Sequence, residues 1–109
     1  MTRAEVLGML ESSGVPAAYY TFPEKSGVQP PFICFYYGYG PLIADNKPYA
    51  GITPLTVELY SEQKDFNLEA TVESIFTDAG IVFDKDETFI ESENMFEIIY
   101  TMEVLIDEC

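Results

Sequence analysis

Six apolar side chains occupy every second position near the end of the chain: Phe96, Ile98, Tyr100, Met102, Val104 and Ile106. Successive side chains of an extended strand point to opposite faces, so this run defines one face that has to be buried along its whole length. A helix would scatter the same six around its circumference. The intervening Glu97, Ile99, Thr101, Glu103 and Leu105 mix charge with aliphatics, so the second face is not simply a water face. A chain of 109 residues has room for one hydrophobic core. The strand therefore predicts one domain, residues 1–109, in which a mostly antiparallel sheet is roofed on one side.

Two helices are available as the roof. Thr2-Arg-Ala-Glu5 has capping-box spacing, with Val6, Leu7, Met9 and Leu10 as an apolar stripe and Gly14 then Pro16 as a stop, which predicts a helix over 2–13. Leu68, Val72, Ile75, Phe76 and Ala79 recur at helical offsets between a cap at Asp65 or Asn67 and a stop at Gly80. Glu69, Glu73 and Asp78 are expected on the water side of this second helix. Leu55, Val57 and Leu59 share one face of a strand over 55–60, with Pro54 ahead of it. Further strands are expected over 18–22, 32–39 and 81–89, the last two strands joined by a turn at Glu91-Ser-Glu-Asn94. Residues 32–39 are apolar on both faces, which calls for cover on the second face as well. The order is α-β-β-β-α-β-β, and the fold class is α+β, a two-layer sandwich with both helices on one face of the sheet. Helix, glycine, short strand and long strand occur twice, starting at Gly14 and Gly80, as an internal echo.

Charge divides function classes. The chain carries 19 acidic and 5 basic residues, a net charge of −14. Residues 1–54 contribute −1 and residues 55–109 contribute −13. Arg3, Lys25, Lys47, Lys64 and Lys85 are scattered, whereas a phosphate-gripping surface needs them clustered. Histidine is absent, which removes the commonest general base and most zinc sites. Gly38 and Gly40 lack the third glycine and following helix of a phosphate loop, and read as a loosened strand end. Asp84, Asp86 and Glu87 lack calcium-loop spacing, and Glu91 and Glu93 have nothing to separate their pKa values. Cys34 and Cys109 read as free thiols. No catalytic residue, cofactor or metal is expected, and no apolar run approaches the roughly 20 residues of a membrane helix. With no apolar signal segment after Met1, synthesis in the cytoplasm is expected.

Between two predicted strands lies YYGYGPLIADNKPYAG, residues 36–51. Tyrosine offers a large rigid contact area with a polar end, so this tip is suited to a neighbouring subunit. The candidate interface residues are Tyr36, Tyr37, Tyr39, Leu42, Ile43, Asp45, Asn46 and Tyr49.

The succession GVPAAYYTFPE, PPFICFYYGYGPLIADNKPY, TPLTVELYSEQKD, DAGIVFDKDE and TFIESENMFEIIYTMEV resembles a family of small neck and tail-completion proteins of tailed bacteriophages and prophages, over nearly the whole chain. Its most specific parts are Ala44-Asp-Asn-Lys47 with Tyr49, the Val57-Glu-Leu-Tyr60 strand, and Ile90-Glu-Ser-Glu93 running into the strand that holds Tyr100. The resemblance implies a structural virion protein without catalytic activity, made in the host cytoplasm and located in the tail or neck. It implies a homo-oligomeric ring, usually a hexamer, that ends the tail tube at the head-tail junction and meets tube and neck proteins. A head-closure or connector role is the alternative within this family. A domain of this length has a radius of gyration of about 13 Å, so six in a ring leave a hole of about one subunit's width, enough for a DNA duplex about 20 Å across. DNA would pass without specific binding. An acidic DNA mimic that occupies a nuclease or repressor is the rival class, and a small-molecule enzyme is the least supported.

Overall fold

The structure, a computed structural model, describes residues 1–22, 27–39 and 52–107. Its elements are α1 (Arg3–Glu11), β1 (Ala17–Tyr19), β2 (Phe32–Tyr37), β3 (Ile52–Ser61), α2 (Phe66–Asp78), β4 (Phe83–Ile90) and β5 (Met95–Leu105). This is an α+β fold in the expected order. The five strands form one sheet in the order β1-β2-β3-β5-β4, with β1 parallel to β2 and every other pair antiparallel.

Both helices start and stop where local chemistry directs. The Thr2 hydroxyl accepts from the Glu5 amide at 3.1 Å, and the Glu5 carboxylate accepts from the Thr2 amide at 2.7 Å. Asp65 caps α2 by accepting from the Leu68 amide at 3.0 Å. Helix α2 ends in a Schellman motif: Gly80 sits at φ +76°, its N–H donates to Thr77, and the Ile81 N–H donates to Phe76. In the β4–β5 turn, Asn94 takes the left-handed conformation at φ +53°.

The core lies on one side of the sheet. Val6 and Leu10 of α1 and Val72 and Phe76 of α2 pack with Ile33, Phe35, Leu55, Val57, Leu59, Ile98 and Tyr100. The alternation in β5 holds: Ile98, Tyr100, Met102 and Val104 are buried, whereas Thr101, Glu103 and Leu105 are exposed. Fully burying an aromatic or aliphatic side chain contributes about 1.5–3 kcal/mol, so the β3–β5 pair with its ten residue partners anchors the fold.

Four expectations need correction. Strand β3 begins at Ile52, not at Leu55, and Pro54 lies inside it. The Pro54 carbonyl accepts from Gly38 at 2.9 Å, so its missing N–H also points to the β2 side, just where β2 ends, and the ladder to β5 loses nothing. Strand β1 stops at Tyr19 because Tyr20 turns to φ +67°. The internal echo is not a structural repeat, since β1 and β2 are parallel while β4 and β5 form a hairpin. Finally, Glu69 and Glu73 do not face water. Glu69 is 3% exposed and takes Lys64 at 2.8 Å and Lys85 at 3.0 Å, while Glu73 takes Lys85 at 2.7 Å and the Tyr100 hydroxyl at 2.8 Å. The buried side of α2 thus runs through 69, 72, 73 and 76, with two lysines neutralising its acidic part.

Candidate functional site

Helices cover one face of the sheet, and no described helix lies on the other. Register assigns this open face. Phe35, Val57 and Tyr100 point into the core, so their strand neighbours Cys34, Tyr36, Thr56, Glu58, Ile99 and Thr101 point away from it. The same alternation brings Phe32, Tyr60, Glu97, Glu103, Asp84 and Asp86 to the open side.

Acids lie on both sides of the sheet, but the described cations lie on one. Lys64 bonds Glu69 and Glu87, Lys85 bonds Glu69 and Glu73, and the Arg3 guanidinium lies 5.8 Å from the centre of the Tyr37 ring. These partners all belong to the helix side. Among the described residues, the open face carries Glu58, Asp84, Asp86, Glu97 and Glu103 and no lysine or arginine. The ion pairs hold Glu73 below the usual carboxylate range: burial opposes this, but hydrogen bonds from Lys85 and Tyr100 and the charges of Lys85 and Lys64 prevail. Lys85 is correspondingly raised, first by its hydrogen bond to Glu73.

At the centre of the open face, the Tyr60 hydroxyl lies 3.0 Å from Glu97 and 3.3 Å from Glu58. Burial first, then the hydrogen bond to Glu97 and its charge, push Glu58 up to about 7, while the bond from Tyr60 pulls the other way. Cys34, opposite Glu58, is free and 4% exposed, and its thiol is raised by burial and then by the Glu58 and Glu97 charges. Among the described residues, no group of three or more His, Cys, Asp or Glu is placed to hold a metal ion.

The cover that residues 32–39 demanded is partly supplied by the chain itself. Phe32 stacks on Tyr60 and meets Phe22 edge-on, and Tyr36 stacks on Tyr20 at 5.1 Å between ring centres. Cys34 lies between Phe32 and Tyr36 along the same face of β2 and is itself buried. Tyr37 lies on the opposite side, stacked on Tyr19 beneath Arg3, and Tyr39 is fully exposed at the end of β2. The tyrosines expected to form one contact surface therefore divide between the two faces, and Leu42, Ile43, Asp45, Asn46 and Tyr49 lie outside the described residues. Beside Tyr19 and Tyr37, an apolar groove of about 420 Å³ opens between α1 and the β1 edge, lined also by Arg3, Ala4, Leu7 and Phe35.

Sequence reasoning missed the Glu58–Tyr60–Glu97 group. Glu58 and Tyr60 share a face by their spacing, but Glu97 joins them only through the β3–β5 register, which no local signal fixes. No helix is long and apolar enough to cross a membrane among the described residues. No family model, curated protein or solved structure matches the chain.

Proposed function

We propose that this chain is a ring-forming structural protein of a tailed phage or prophage, a tail terminator at the head-tail junction, whose open sheet face borders the DNA path. The observation that carries the reading is the placement of the cations: every described lysine and arginine is engaged on the helix side, and the uncovered sheet face is acidic. Each cation on a DNA-facing wall adds a phosphate contact and so a salt-dependent brake, which a conduit has to avoid. The resemblance set out above supplies the ring. The described domain measures 45 × 27 × 26 Å, so six bodies placed side by side across the short axes enclose a hole of about one such width, wider than the roughly 20 Å of duplex DNA. The exposed tyrosine edge, with Tyr19, Tyr20 and Tyr39, and the apolar groove beside it offer area for the next subunit.

The test is the double variant Asp86→Lys with Glu103→Lys, both exposed on the open face and neither part of the Tyr60 group. Particles carrying it should assemble yet eject DNA poorly at low salt, and recover as salt rises through the screening range. Normal ejection at both salts places this face away from the DNA. Loss of binding to a basic protein with assembly untouched supports the DNA-mimic class instead.

A further inference from the structure

We propose that Glu58, Tyr60 and Glu97 form a proton-operated charge switch at the centre of the open sheet face, in which Glu58 gains or loses one proton beside the Tyr60 hydroxyl and the Glu97 carboxylate and so sets how negative the face is. The geometry specifies the proton. The Tyr60 hydroxyl sits within bonding distance of Oε2 of Glu97, at 3.0 Å, and Oε1 of Glu58, at 3.3 Å. A hydroxyl has one hydrogen to donate, so it satisfies one carboxylate as donor. Its second contact is a hydrogen bond only if the other carboxyl carries a proton and donates it to the hydroxyl oxygen. With both acids ionised, one carboxylate faces a lone pair and repels its neighbour.

Among the described residues, the surroundings give the second charge no relief. Cys34 on β2 stands opposite Glu58, Ile99 on β5 pairs with Glu58 from the other side, Thr88 on β4 pairs with Glu97, and Asp86 pairs with Ile99. No described helix, lysine or arginine reaches this side. Burial and the neighbouring acid accordingly push Glu58 up to about 7. Tyr60 is raised as well, by burial first and then by Glu97, so it keeps its hydrogen throughout the range in which Glu58 titrates. A modest change around neutrality therefore adds or removes one charge at the middle of the sheet.

The consequence for DNA passage rests on the placement of this face proposed above, but the switch itself is measured independently. The experiment is a pH titration of the Glu58 side-chain carboxyl by ¹³C NMR in the full chain. The expected midpoint is about 7. Glu97→Gln should lower it by removing a charge and a partner, and Tyr60→Phe should raise it by removing a donor to the ionised form. Opposite shifts distinguish the switch from a merely structural contact, which would move both variants the same way. A wild-type midpoint near the ordinary glutamate value of about 4.3 overturns the proposal, and so do shifts of equal sign. A midpoint of about 7 with DNA ejection indifferent to pH supports the switch and counts against the face's place on the DNA path.

Discussion

Replacing Lys85 by methionine tests the arrangement that holds the described lysines on the helix side. The Lys85 ammonium lies 2.7 Å from Glu73 and 3.0 Å from Glu69, whose side chain is almost wholly enclosed. Hydrogen bonds to charged groups contribute about 1.5–3 kcal/mol each, and two are removed. Three features reduce the loss. Lys85 is 38% exposed, so water screens its pairs; Glu69 keeps Lys64; and Glu73 keeps the Tyr100 hydroxyl. Methionine also retains most of the apolar stem. The expected cost is about 2 kcal/mol, between that of an exposed pair and that of a broken buried one. Urea unfolding followed by circular dichroism should show a lower midpoint with an unchanged slope. The pH dependence has a definite sign. Because folding depresses the Glu73 pKa, its stabilisation is present above the ordinary carboxylate value and is lost as pH falls through the folded one. The gap between wild type and variant should therefore narrow in acid. A cost below about 0.5 kcal/mol at neutral pH, no more than a surface pair gives, would refute the reasoning.

Phe76→Ala should cost about 3–5 kcal/mol, because the ring is fully buried and meets both Tyr100 and Phe83 edge-on at 5.4 Å; thermal unfolding checks it, and a loss under 1 kcal/mol would mean α2 is not seated as described. Glu58→Gln should flatten the fall in wild-type stability between about pH 4.5 and 7. A carboxyl whose pKa folding raises gives stability below its unfolded value and loses it as pH climbs through the folded one, so equal slopes in the two proteins count against the Tyr60 group.

What was legible in the sequence follows from the range over which each signal acts. Capping at Thr2 and Asp65, the stop at Gly80 and the alternation of β5 are set by neighbours within a few residues, and all are found as read. Pro54 misled because a proline argues against strand only if its missing donor was needed, and that depends on where β2 ends. Glu69 and Glu73 misled because acids on a helix normally face water; their burial needs Lys64 from the loop before α2 and Lys85 from the strand after it. The acid pair at Tyr60 depends on strands separated by the whole of α2 and β4. Charge was visible as a total, but the gathering of the described cations on the helix side, which leaves the acids of the sheet side without them, belongs to the tertiary fold.

Electron microscopy of the concentrated protein, alone and added to purified tail tubes, tests the central claim most directly. The account predicts closed rings of six at six times the 12.3 kDa chain mass, seated at tube ends, with the β3–β5 open face turned toward the hole. Particles of single-chain size at every concentration, with bare tube ends, would contradict it.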